Sequence, residues 1–108
     1  MALNKEPVKL AKSIMPAGFK DDTWSGSPAF SWYKRHGHAG RNMIERAVGK
    51  AKKLGFVSGK FGCHGTPDGS VMGSSEVFHH PEGWEMLTSS SYGCVAYDNS
   101  FSITLRKV

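Results

Sequence analysis

The chain has 108 residues, of which 39% are hydrophobic, 21% charged and 11% aromatic, enough for one domain with its own core and too apolar for a disordered chain. No apolar run approaches the roughly 18 residues of a membrane span, and the lysines spaced through Met1–Met15 interrupt any apolar stretch of a secretory signal. Two cysteines are too few for a disulfide framework and point to a reducing, cytoplasmic setting, while a net charge of +5 points to anionic partners.

Asn4 is placed to cap a first helix over Lys5–Ile14. Pro7 falls in its tolerant first turn, and Val8, Leu10, Ala11, Ile14 and Met15 form an apolar stripe. Pro16 and Gly18 end it. Lys20–Tyr33 reads as a loop carrying Gly26 and Pro28, anchored by Trp24, Phe30, Trp32 and Tyr33, with a short strand over Ala29–Tyr33. The strongest helical period runs from Gly40 to Leu54: Met43, Ile44, Ala47, Val48, Ala51 and Leu54 share one face, and Asn42, Glu45, Arg46, Gly49 and Lys53 the other. Lys50, Lys52 and Lys53 suit its negative C-terminal end, Gly55 suits the C′ position, and Gly49 suggests a close neighbour in mid-helix.

Beyond Gly55 the spacing turns to alternation between turn signals. Strands are expected over Phe56–His64, Ser70–His79, Trp84–Ser90, Gly93–Tyr97 and Phe101–Lys107, with Gly65–Gly69, His80–Gly83 and Asp98–Asn99 as reversals. In the last strand Phe101, Ile103 and Leu105 should face inward and Ser102, Thr104 and Arg106 outward. The expected architecture is α+β, two N-terminal helices packed on a four- to five-stranded antiparallel meander sheet. It forms a single domain over 1–108, helical and basic over 1–55 and antiparallel sheet over 56–108. The last strand is expected at a sheet edge, open to pairing with a second copy as a homodimer.

Charge is unevenly placed. Residues 1–55 hold eleven Lys or Arg against four Asp or Glu, a net +7, whereas residues 56–108 hold three against five, a net −2. The segment Trp32–Asn42 concentrates the signal. Lys34, Arg35 and Arg41 are cations beside His36 and His38, and Gly37 and Gly40 would admit a phosphate at the helix start. Trp32 and Tyr33 offer faces for stacking bases, and Arg46, Lys50 and Lys53 extend the track along one helix flank. These residues, Gly37 and Gly40 apart, form the expected binding site of ten.

Other chemistries have weaker signals. The spacings of His36, His38, Cys63, His64, His79, His80 and Cys94 match no zinc pattern, so no metal or other cofactor is expected, and both cysteines read as small buried strand residues. The glycines between Gly55 and Gly73 match no nucleotide loop. Asp21-Asp22 reads as a turn, His79 and His80 as exposed turn residues, and Thr88–Ser91 as a hydroxyl run facing water. No catalytic set is assigned. The leading reading is a small basic protein that binds nucleic acid, DNA or RNA, or another polyanion. The alternative is an accessory or inhibitor protein that docks on an acidic protein surface, of a kind common in viruses and mobile elements. A third is a small phosphodiester-cleaving nuclease using its histidines.

Overall fold

Two periodicities build the fold, one of 3.6 residues for the helices and one of two for the strands. The computed structural model describes residues 6–35, 37, 39–65, 67, 72–93 and 99–108, with the backbone alone of His64. Helix α1 spans Pro7–Ile14, followed by strands β1 (Lys20–Asp21) and β2 (Ala29–Arg35) and helix α2 (Ala39–Lys53). Strands β3 (Val57–Gly65), β4 (Met72–His80), β5 (Trp84–Tyr92) and β6 (Ser100–Lys107) complete the chain order. The class is α+β with an antiparallel sheet, as expected, but among the described residues the sheet has six strands, in the order β1-β2-β6-β5-β4-β3.

That order corrects two expectations. Residues 1–55 are not simply a helical half: the short strand expected over Ala29–Tyr33 is present as β2, extended to Arg35, and together with the unexpected β1 it joins the sheet. Strand β6 is not an edge either: it pairs with β5 on one side and with β2 on the other, from Ala29↔Arg106 to Arg35↔Ser100. The homodimer expected through the last strand therefore has no free edge there. The long edge strand is β3, where a register shift between Ser58 and Lys60 and the charge of Lys60 oppose further strand addition. A strand over Gly93–Tyr97 and the cap at Asn4 lie outside the described residues, Gly93 apart, which is not in a strand.

The missed hairpin has a local cause. Trp24 and Ser27 exchange backbone hydrogen bonds at 3.2 and 2.9 Å around Ser25 and Gly26, whose φ values of +50° and +79° suit a two-residue turn with left-handed central residues. Trp24 at the tip is 80% exposed and anchors nothing.

The core lies between the helices and one face of the sheet. Leu10, Ala11 and Ile14 of α1 and Ile44, Ala47 and Ala51 of α2 pack against Phe30, Phe78, Met86, Phe101, Ile103 and Leu105. Strand β6 alternates as expected, with Phe101, Ile103 and Leu105 buried. Helix α2 ends as its sequence predicts: Gly55 takes φ +100°, its N–H donates to the Lys52 carbonyl at 3.1 Å, and Phe56 N–H donates to the Ala51 carbonyl at 3.1 Å. Gly49 is exposed with nothing among the described residues within 4 Å of the Cβ position, so no described neighbour explains it. Gly49→Ala should therefore stabilise the protein by about 0.5–1 kcal/mol, raising Tm by about 4 °C in a thermal melt. A lower Tm would show that glycine is required there.

Candidate functional site

Strand alternation divides the segment that the sequence marks for binding. Trp32 pairs with Ile103 and Lys34 with Phe101 on the helix side of β2, whereas Tyr33 and Arg35 pair with Ser102 and Ser100 on the open side. Trp32 is 6% exposed and packed in the core, which removes it as a stacking face; Tyr33, 63% exposed, keeps its ring free. His36 and His38 lie outside the described residues. Gly40 does not open the helix start to a phosphate, because it is buried against the Phe101 ring.

Arg41 is committed within the protein. Its Nε lies 3.3 Å from Glu45 Oε1, and its Nη1 donates to the Tyr92 hydroxyl at 3.2 Å. The Tyr92 bond first and the Glu45 bond second hold its pKa above the ordinary arginine value. Arg46, Lys50 and Lys53 differ. They follow at intervals of four and three on α2, stand on one face and are exposed.

Helix α1 packs beside α2 and adds exposed Lys9 and Lys12, while Lys52 adds a further cation to the last turn of α2. None of these six cations has an ion-pair partner among the described residues. The described acids on the two helices and their caps are Glu6 and Glu45, and Glu45 already holds Arg41. The outward side of the helical layer is therefore a positive surface.

The two described histidine side chains, His79 and His80, stand on opposite faces of β4 and share no site. His79 lies on the open sheet face, with Nδ1 3.9 Å from Glu85 Oε2. His80, expected to be exposed, is buried at 5%: its Nε2–H donates to the Leu54 carbonyl at 3.0 Å and its Nδ1 accepts the Glu82 N–H at 3.1 Å. The two bonds define one neutral tautomer. The ring also lies 5.1 Å from that of Phe56, so His80 fastens the end of α2 to the β4–β5 turn. No group of three or more His, Cys, Asp or Glu among the described residues could hold a metal ion.

Three smaller expectations resolve as well. Asp21-Asp22 serves the hairpin: Thr23 N–H donates to Asp21 Oδ1 at 3.0 Å, Ser31 Oγ bonds to Asp22, and hydrogen bonds from Thr23 lower the Asp21 pKa. Cys63 is exposed on β3 rather than buried, and Cys94 lies outside the described residues. The hydroxyl run does not all face water. Thr88 is 5% exposed and shares the core-facing side of β5 with Met86, a position that only the strand register reveals.

Comparison with known protein families, curated proteins and solved structures returned no match.

Proposed function

We propose that the protein binds nucleic acid through the outward face of its two helices, with Arg46, Lys50 and Lys53 as the central track. The observation that carries this reading is the run of exposed cations without ion-pair partners among the described residues, aligned along one helix flank. From Arg46 to Lys53 the helix rises about 10 Å, the span of about three phosphates along one strand of a duplex. Lys9 and Lys12 on α1 widen the surface.

Tyr33 and Arg35 stand on the far side of the sheet and do not share this face. Recognition is accordingly led by phosphates, and it should show little base preference. Fluorescence anisotropy on short duplexes at about 50 and about 200 mM salt tests the proposal. With Lys9, Lys12, Arg46, Lys50 and Lys53 each neutralising a phosphate, log K against log salt should have a slope of about −4.5, similar for unrelated sequences. The probe should be recovered intact. A flat salt dependence would overturn the proposal, and binding to an acidic protein in its place would assign the same cations to protein docking.

A further inference from the structure

Strand register shows a change of chemistry on the helix-facing side of the sheet. One cross-strand row reads Phe78, Met86, Leu105 and Phe30, all apolar and all buried. In the next two rows β6 and β2 stay largely apolar, with Ile103, Phe101 and Trp32, but β4 and β5 turn to Glu76 and Thr88, then Ser74 and Ser90. Of these, Thr88 is 5% exposed, while Glu76, Ser74 and Ser90 are half-buried and remain within reach of a ligand.

Here they form the floor of a cleft of about 270 Å³ beneath α2. That volume falls just below the roughly 300–1,000 Å³ usual for small-molecule sites, room for a small ligand group. Ile44 and Val48 of α2 give it an apolar wall, and the 62% exposed ring of Phe61 stands on its β3 side.

The balance of charge decides what the cleft can accept. Arg41 and Glu45 both line it, but they neutralise one another at 3.3 Å, and Tyr92 takes a further N–H of the guanidinium. Glu76 has no cationic partner among the described residues. Its described hydrogen bond is from Ser58 Oγ to Oε2, at 2.5 Å. The floor thus presents one uncompensated carboxylate surrounded by hydroxyls that can accept hydrogen bonds. An anion would be repelled, and a neutral polyol would leave the charge unmet. An ammonium group matches both the charge and the acceptors, and an alkyl body matches the wall.

We propose that this cleft binds a primary alkylammonium group, with the nitrogen on Glu76 and the hydroxyls of Thr88 and Ser90, and the alkyl chain between Val48 and Phe61. The group has two sources, a free small amine or the lysine side chain of a partner, and two probes separate them. Backbone amide shifts of the full chain would be followed during titration with n-pentylammonium and with Nα-acetyl-lysine N-methylamide. Saturable shifts at Val48, Thr88 and Ser90 are expected, and the tighter probe assigns the source.

Glu76→Gln keeps the side-chain shape and should weaken binding about 10- to 100-fold, and Ser90→Ala should weaken it less. The spectra of both variants without probe report their folding. Equal shifts with 1-pentanol, undiminished binding to a folded Glu76→Gln variant, or the absence of saturable shifts with either probe would overturn the proposal.

Discussion

Phe101→Ala is expected to cost about 3–5 kcal/mol of stability and Gly40→Ala about 1–3 kcal/mol, with the double variant costing less than the two combined. Phe101 is 1% exposed and is the residue on which the first turn of α2 sits. A Cβ at Gly40 would fall 2.2 Å from Cδ2, 2.5 Å from Cγ and 2.9 Å from Cβ of Phe101. The ring has little freedom to yield, because Tyr92 packs edge-on against it at 5.6 Å between centroids. Either the helix start or the ring must move. Removing the ring eliminates the two closest clashes, although the approach to Phe101 Cβ stays. A double-mutant cycle in urea should therefore show about 1 kcal/mol or more of favourable coupling. Simple additivity would mean that the cost of Gly40→Ala does not arise from a clash with the Phe101 ring.

Reversing Arg46, Lys50 and Lys53 to Glu should abolish most nucleic-acid affinity without unfolding the protein. All three side chains are exposed and lack ion-pair partners among the described residues, so their replacement breaks no described contact in the core. At about 100 mM salt, each lost phosphate contact removes close to one logarithmic unit of counterion-release affinity, so three remove about 10²- to 10³-fold. The salt slope should fall from about −4.5 to about −1.8. Reversing Arg35 on the open sheet face serves as the comparison and should leave both quantities nearly unchanged. If Arg35→Glu had the larger effect, the binding face would be the sheet, and the helix track would be a solvated surface.

The parts of this fold that could be read from sequence are those governed by short-range period. Six apolar residues between Met43 and Leu54 define the inward side of α2, and that same period places Arg46, Lys50 and Lys53 outward. Phe101, Ile103 and Leu105 do the same for β6. What failed was long-range. Nothing in the local spacing of Ala29–Arg35 says that its partner is the last strand, and a two-residue β1 is too short to leave a pattern. The site suffered from the same blindness. Trp32, Tyr33, Lys34 and Arg35 look like one cluster in the chain, and a strand necessarily sends them to two faces. Thr88 and Ser90 look like a solvated run until their register with Glu76 and Ser74 places them under α2.

The pairing of β2 with β6 has a consequence for how the protein comes into being. During synthesis β2 is made early, and until residues 100–107 follow, its sheet neighbour among the described residues is the two-residue β1. Strand β5 meanwhile offers an open edge carrying Trp84 and Met86. A nascent chain stalled before Ser100 would hold two unmatched strand edges at once, each able to recruit a neighbouring chain. The strand that closes the sheet is also the one whose delay leaves it adhesive.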